Sequence, residues 1–139
     1  KQWRFKPTNG EVKMTQSTEK LIDEYLSAYC QPNRERRASA VSRLWAIDGR
    51  LIDPPMEASG HAAIVAQADA LLVQFPTHCF HRTTEIDAHH GFARYGWTLI
   101  NATGTPVLEG CDFAEIDKDG CLRRMVGFFG PLAQLAAAK

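Results

Sequence analysis

The sequence has no surplus of charge of either sign and no long hydrophobic run. Its 139 residues carry 16 Lys and Arg against 16 Asp and Glu, so the formal net charge is zero. A neutral chain produces no strong field toward nucleic acid or an anionic membrane surface. The longest apolar stretch, residues 62–73, is interrupted by Gln67 and Asp69 and is too short to span a bilayer. We therefore expect a cytoplasmic protein that binds neither nucleic acid nor membrane.

Cysteine is also scarce, and the four cysteines are too scattered for a metal site. Cys30, Cys79, Cys111 and Cys121 form no Cys-x-x-Cys pair, whereas zinc needs about four converging nitrogen or sulfur ligands. Without a dense cysteine framework or a signal peptide, reduced thiols are favoured over disulfides. We expect neither a metal nor an organic cofactor.

The first 13 residues differ from the rest of the chain. They are polar and charged and show no regular period, whereas a regular pattern follows Met14. We expect residues 1–13 to be a leader or extension, open to disorder, and residues 14–139 to form a single domain, because a chain of this length and 45% hydrophobic content suits one core. A second interpretation is that Trp3 and Phe5 clamp onto the surface of that domain.

Three segments in the first half have apolar residues every three or four positions, which predicts three amphipathic helices. The first covers residues 17–30 and ends before Pro32. The second begins near Arg34, includes Trp45 in its apolar stripe and closes at Asp48-Gly49. The third covers residues 61–75. Residues 50–53 form a short predicted strand before Pro54, since proline donates no hydrogen bond to a sheet.

The second half changes to a period of two, which is typical of strands. Predicted strands cover residues 77–88, 92–100, 106–116 and 121–129, with a turn sequence in each gap. Three helices, a short strand and a four-stranded meander predict an α+β domain in which a curved antiparallel sheet packs its concave face on three N-terminal helices.

One acidic residue points toward this predicted core. The alternation in residues 106–116 places Asp112 on the same face as Leu108 and Ala114. A carboxylate in apolar surroundings must find a partner or keep its proton. Asp112 is therefore either a structural residue with satisfied hydrogen bonds or part of a functional site.

Three further polar residues are candidates for the same site. Asp53 ends its predicted strand, where it either forms a turn before Pro54 or supplies a second carboxyl group. Tyr25 and Tyr29 lie four residues apart on the buried stripe of the first helix, so both phenols need hydrogen-bond partners near the core. Each feature alone is compatible with ordinary packing.

Four segments follow one another in a characteristic order along the chain. They are Glu24 to Tyr29, Ile52-Asp53-Pro54, Gly60 to Ile64, and Cys111-Asp112-Phe113 before Gly127-Phe128-Phe129-Gly130. This order resembles the nuclear transport factor 2-like superfamily, and within it the ketosteroid isomerase and SnoaL-like polyketide cyclase branches. The resemblance covers Ser17 to Pro131 and implies a cone-shaped α+β barrel around a hydrophobic pocket, usually in a homodimer.

The resemblance also implies roles for three residues. Asp53 matches the base that shuttles a proton beside a carbonyl, while Tyr25 and a neutral Asp112 match the donors that stabilise the enolate oxygen. The pocket would suit a small apolar or aromatic ligand. Its expected lining consists of Tyr29, Trp45, Met56, Phe75, Phe80, Tyr95, Trp97, Met125 and Phe129.

The resulting expectation is an isomerase or cyclase-like enzyme that acts on a small apolar carbonyl compound by acid/base proton transfer. One alternative is a binding protein with the same pocket and no turnover. Another is a structural or dimerisation module that uses the outer sheet face. Phe113 and Phe128 on that face also predict a homodimer through the sheet. A dehydratase driven by histidines would need two of them beside Tyr25 or Tyr29. Catalysis requires that Asp53 and Asp112 reach one cavity.

Overall fold

The described part of the chain contains three helices and seven strands. The structure is a computed structural model that describes the backbone of residues 9–137 and the side chains of residues 18–137. The helices are α1 (Asn9–Tyr29), α2 (Arg34–Leu44) and α3 (His61–Gln74). The strands are β1 (Trp45–Asp53), β2 (Met56–Ser59), β3 (Cys79–Arg82), β4 (Asp87–His89), β5 (Phe92–Ile100), β6 (Pro106–Ile116) and β7 (Leu122–Phe129).

All seven strands belong to one sheet with the order β2-β1-β7-β6-β5-β3, and β4 pairs with β5 beside β3. Neighbouring strands are antiparallel except β1 and β7, which are parallel. The helices cover one face: α1 packs on β3 and α2, while α3 packs on β1, β2 and α2. The predicted α+β class, a curved sheet on three N-terminal helices, is confirmed.

The core lies between the helices and the concave face of the sheet. Along β5, Ala93, Tyr95, Trp97 and Leu99 are buried and alternate with more exposed residues. This period of two is the pattern from which the strand is predicted. Ile22 of α1 faces these side chains and is fully buried, so the apolar stripe of the helix and the apolar face of the sheet form one core.

The predicted end of the second helix is wrong. α2 ends at Leu44, and Trp45 begins β1 in an extended conformation, with φ −106° and ψ 141°. The Asp48-Gly49 pair lies inside β1, where the register against β7 shifts between Trp45 and Arg50. An irregularity of this kind is a β-bulge. The bulge places Gly49 against the Trp45 ring, where a Cβ atom would lie only 2.6 Å from ring carbon Cε3.

The predicted strands are confirmed in the middle of the sheet and corrected at its margins. β5 and β6 have the predicted bounds, and β7 begins one residue late at Leu122. The strand predicted for residues 77–88 is divided into β3 and β4, because Thr83 and Thr84 leave the ladder and hydrogen bond to Gly96. The four-residue strand β2 is absent from the sequence-based prediction, which treats the prolines before it as a strand end.

The first helix begins earlier than predicted, at Asn9 instead of Ser17. Of the predicted leader, residues 9–13 have helical backbone and residues 1–8 lie outside the described part of the chain. The proposed clamp of Trp3 and Phe5 also lies there and stays a prediction. None of the described helices, α1 included, combines the length and apolar character needed to cross a membrane.

Candidate active site

A cavity of about 50 Å³ lies between the helices and the concave face of the sheet. Its wall is mostly apolar, with two carboxyl groups and two phenols. Two helices and five strands contribute to it, and Phe129 of β7 is the most exposed of its apolar lining residues, at 46%. The lining residues are Tyr25, Leu26, Tyr29, Asp53, Leu71, Phe80, Trp97, Leu108, Asp112 and Phe129.

Asp53 enters the cavity from the end of β1. Its carboxylate oxygen Oδ2 accepts a hydrogen bond from Gln67 Nε2 of α3 at 3.3 Å. Burial raises the pKa of Asp53 to about 6, although the Gln67 hydrogen bond opposes the rise. A carboxyl group with this pKa is largely ionised at neutral pH and still basic enough to accept a proton, which is what a general base requires.

Asp112 enters the cavity from β6 and is 4% exposed, so the predicted inward orientation is confirmed. Tyr95 donates its O–H to Oδ2 at 2.6 Å, and Trp97 donates its ring N–H to Oδ1 at 2.9 Å. Both donors lie on β5, which pairs with β6. Burial raises the pKa of Asp112 to about 7, and the charge of Asp53 adds to the rise while the two donors oppose it.

The two carboxyl groups converge on Gly127 of β7. Gly127 pairs with Asp112 across the ladder. A Cβ atom on Gly127 would overlap Oδ1 of Asp53 and would lie 3.1 Å from Oδ1 of Asp112. The absence of a side chain at this position is therefore what lets the Asp53 carboxylate approach Asp112 across β7.

Tyr25 completes the polar part of the cavity from α1. The residue is 6% exposed and lines the cavity. Burial raises the pKa of Tyr25, and the charges of Asp112 and Asp53 raise it further. Its hydroxyl is thus neutral at physiological pH and available to a ligand. Burial also raises the pKa of Tyr29, and the charge of Asp53 adds to the rise while the Gln67 side chain opposes it.

Five aromatic rings form a continuous wall around one side of the cavity. The successive ring centroids are 5.9 Å apart between Tyr25 and Tyr29, 5.6 Å between Tyr29 and Phe80, 5.2 Å between Phe80 and Trp97, and 5.9 Å between Trp97 and Phe129. All four pairs meet edge to face, a preferred geometry for aromatic side chains. We call these five residues the aromatic wall.

The structure places four of the nine residues predicted for the pocket in the lining of this cavity: Tyr29, Phe80, Trp97 and Phe129. Trp45, Tyr95 and Met125 do not, because they are buried in the core behind the wall. Trp45 packs edge to face on Tyr25 at 5.9 Å between centroids, and the Tyr95 hydroxyl lies 3.6 Å from the sulfur of Met125.

Two other predicted lining residues lie away from the cavity. Met56 is 43% exposed on β2. Phe75 follows α3 and packs its ring against His78, with 5.3 Å between centroids. Both predictions depend only on the size and apolar character of the side chain. These properties do not distinguish a residue in the cavity wall from one that packs elsewhere.

The sequence-based prediction also misses lining and supporting residues. Leu26, Leu71 and Leu108 share the apolar stripes or strand parity of predicted site residues, so the same periodicity contains the signal for them. Gln67 is a polar residue on the apolar face of α3 and is buried. A polar residue among the apolar positions of a helix indicates a buried hydrogen-bond partner, which here is Asp53. Gly127 has no comparable local signal.

The described residues do not suggest a metal or a histidine pair at this site. No three His, Cys, Asp or Glu side chains among them converge as metal ligands. All five histidines are described, and none lines the cavity. The arrangement that a histidine-driven dehydratase requires beside Tyr25 or Tyr29 is therefore not found.

Several known structures are similar to this chain over most of its length. A candidate isomerase of the SnoaL-like family from Agrobacterium tumefaciens is 30% identical, with a TM-score of 0.79 over 84% of this chain and 99% of the other. A candidate SnoaL-like polyketide cyclase from Jannaschia is 15% identical, with a TM-score of 0.68 over 91% of both chains. A candidate polyketide cyclase from Sinorhizobium meliloti is 17% identical, with a TM-score of 0.64 over 81% of this chain and 99% of the other. The last two support the fold alone. No family model and no curated protein matches the sequence.

Proposed function

Because this chain belongs to the SnoaL-like family of the nuclear transport factor 2-like superfamily, we propose that it is an isomerase or cyclase-like enzyme that moves a proton on a small apolar carbonyl compound. The observation that carries this proposal is the convergence of Asp53, Asp112 and Tyr25 in one largely apolar cavity. Separate environments for the two carboxyl groups would have left no acid/base pair.

In the proposed reaction, the Asp53 carboxylate removes a proton from the carbon beside the substrate carbonyl. The electrons of the broken C–H bond form a C=C bond, and the carbonyl oxygen becomes an enolate oxygen. Tyr25 donates a hydrogen bond to that oxygen, which stabilises the developing charge in a largely apolar cavity. For isomerisation, Asp53 then returns the proton to a second carbon and the carbonyl C=O bond re-forms. For ring closure, the enolate carbon attacks a second carbonyl group, the first C=O bond re-forms, and the oxygen of the attacked carbonyl takes the proton from Asp53.

Asp112 supplies the second hydrogen bond to the enolate oxygen in its protonated form. A pKa of about 7 leaves a substantial protonated fraction at neutral pH. Tyr95 and Trp97 hold the carboxyl group in place from the side of the sheet. A preorganised donor of this kind needs no reorientation during the reaction, which is the origin of its catalytic effect.

A binding protein without turnover is the second candidate function. The observation that favours it is that each oxygen of Asp112 already accepts a hydrogen bond from the protein. A carboxylate whose oxygens both accept hydrogen bonds from the protein can have a purely structural role, which is to fix β5 against β6. The aromatic wall would then hold an apolar ligand without chemistry.

The two candidate functions are distinguished by measuring turnover of a panel of small enones and β-keto compounds by the wild type and by Asp53→Asn. The enzyme proposal predicts that Asp53→Asn abolishes turnover while ligand binding survives. If no compound shows turnover that depends on Asp53, and an apolar fluorescent probe binds both proteins equally, the binding-protein proposal replaces it.

We further propose that the chain forms a homodimer through the convex face of its sheet. Phe113 of β6 and Phe128 of β7 are 43% and 53% exposed there, and their ring centroids are 5.8 Å apart. Adjacent exposed aromatic side chains of this kind favour coverage by a partner. An isologous contact through the same face of a second copy would cover both.

A further inference from the structure

The cavity contains negative charge without a protein cation to balance it. Asp53 and Asp112 line it, and none of the described lining residues is Lys, Arg or His. Arg37 and Arg82, whose side chains are 6% and 16% exposed, pair with Asp69 and Asp23. A buried carboxylate without a counter-charge is costly to ionise. An organic cation in the cavity would remove that cost.

The rest of the lining also suits a cation with apolar substituents. The faces of Trp, Tyr and Phe rings carry negative potential and attract ammonium groups, and the aromatic wall brings five such rings to the cavity. Tyr25 also lines the cavity. Its oxygen can accept an N–H from a ligand as readily as its O–H can donate to a carbonyl.

We propose that the cavity binds a small alkylammonium ion, with Asp53 and Asp112 as its counter-charges and the aromatic wall against its alkyl groups. A bare metal ion would find only two carboxyl groups among apolar side chains, whereas an alkylammonium ion uses both kinds of surface. Binding requires no turnover, so this inference does not depend on the proposed reaction.

The geometry couples this binding to pH. A cation favours the ionised carboxylates, so its binding releases protons where the free carboxyl groups are partly protonated, between their pKa values of about 6 and about 7. Below this range both groups are neutral and the attraction is lost. The other polar groups that face the two carboxyls are uncharged near neutral pH. They are Tyr25 and Tyr29 from α1, Gln67 from α3, and Tyr95 and Trp97 from β5.

The test is calorimetric titration of the wild type with tert-butylammonium and with its neutral isostere tert-butanol. At about pH 8 we expect the cation to bind at least about tenfold more tightly, and at about pH 5 we expect this preference to disappear. Titrations near pH 7 in two buffers with different ionisation enthalpies should reveal net proton release. Equal binding of the two compounds at pH 8, or a preference that persists at pH 5, would overturn the proposal.

Substitutions then locate the site. Asp53→Asn and Asp112→Asn should each reduce the preference for the cation severalfold, whereas Asp48→Asn removes an exposed carboxylate of β1 and should leave it unchanged. An equal loss in all three variants would contradict a cavity site. Should either cavity variant fail to fold, the pH comparison on the wild type still decides.

The cation inference and the proposed reaction can fail separately. A cation preference without turnover on any carbonyl compound would contradict the proposed reaction only. Turnover without a cation preference would contradict the cation inference only.

Discussion

Single side chains set the protonation of Asp112. The Tyr95 hydroxyl lies 2.6 Å from Oδ2 of Asp112 and 3.6 Å from the sulfur of Met125. When Asp112 is ionised, Tyr95 donates to it. When Asp112 is protonated, the remaining lone pairs of its carboxyl oxygens can still accept from Tyr95 and Trp97, and its own O–H is available to a ligand oxygen. Both protonation states therefore keep their hydrogen bonds, which is what a group that exchanges a proton near neutral pH needs.

Tyr95→Phe should raise the pKa of Asp112 above its value of about 7. The substitution removes a donor to the ionised carboxylate, and a hydrogen bond to a charged group is worth about 1.5–3 kcal/mol. Infrared titration of the protonated carboxyl C=O stretch measures the shift directly. Met125→Leu is the matched control, because it changes the other neighbour of Tyr95 and keeps the donor. An unchanged titration midpoint of Asp112 in Tyr95→Phe would show that the Tyr95 hydrogen bond does not stabilise the ionised carboxylate.

Asp112→Asn should change how stability depends on pH. The folded-state pKa of Asp112 is raised from 3.8 to about 7, so the folded protein binds this proton more tightly than the unfolded chain does. The resulting stabilisation is fully present below the unfolded pKa and is lost as pH rises through about 7. Without this carboxyl group, the decline in the free energy of unfolding between about pH 4 and pH 8 should be smaller by an amount on the order of a few kcal/mol.

Denaturant unfolding of both proteins across that pH range measures the effect. The exposed-site variant Asp48→Asn should follow the wild-type curve. Parallel curves for the wild type and Asp112→Asn would contradict the raised pKa.

Gly127 of β7 shapes the site because it carries no side chain. Gly127→Ala should destabilise the fold by about 1–3 kcal/mol, the usual cost of overpacking, because its Cβ would overlap the Asp53 carboxylate. The free energy of unfolding should be measured in a double-mutant cycle with Asp53→Ala. In the Asp53→Ala background the clash is gone, so the cost of Gly127→Ala should fall markedly. The same cost in both backgrounds would place the strain elsewhere.

The alternation of apolar and polar residues predicts a helix or strand well where a single period runs through the whole segment. β5 and β6 have the predicted bounds because their alternation is uninterrupted, and the same alternation places Asp112 inside. The prediction fails at Trp45, because its spacing from Val41 and Leu44 suits a helix as well as a buried strand start. The Asp48-Gly49 pair has the chemistry of a turn but occupies a bulge, and only the pairing of β1 with β7 distinguishes the two.

The site is only partly predictable for a related reason. Periodicity indicates that Tyr25, Tyr95 and Asp112 face inward, and all three are buried. Whether an inward residue lines the cavity or stands behind its wall depends on how α1 lies across the sheet. Tyr95 is the example: it faces inward, yet it supports Asp112 from behind and does not touch the ligand space.

The molecule as a whole exposes aromatic residues on the face opposite the cavity. Phe92, Phe113 and Phe128 are 53%, 43% and 53% exposed on three successive strands of the sheet. Phe113 and Phe128 contact each other, and Phe92 lies one strand away on β5. Covering these side chains would leave the cavity, on the concave side, accessible to ligand in a dimer.

Phe113→Glu combined with Phe128→Glu should convert the proposed dimer to a monomer, because each carboxylate would be buried without a counter-charge in the interface. Light scattering after size exclusion at micromolar concentration reports the mass. Val73→Glu is the control, since Val73 is 84% exposed on α3 and lies on the helical side of the molecule. A wild type that is monomeric, or a Val73→Glu variant that dissociates equally, would contradict the proposed interface.

Proton exchange at carbon tests the proposed activity most directly, because it requires no knowledge of the product. Small ketones and enones are incubated with the protein in D2O, and the loss of the proton signals beside the carbonyl is followed by NMR. The account predicts exchange above the buffer rate in the wild type, none above it in Asp53→Asn, and a larger residual rate in Asp112→Asn than in Asp112→Leu, because an amide can still donate to the enolate oxygen. Exchange at the buffer rate in the wild type, or exchange that survives in Asp53→Asn, would contradict it.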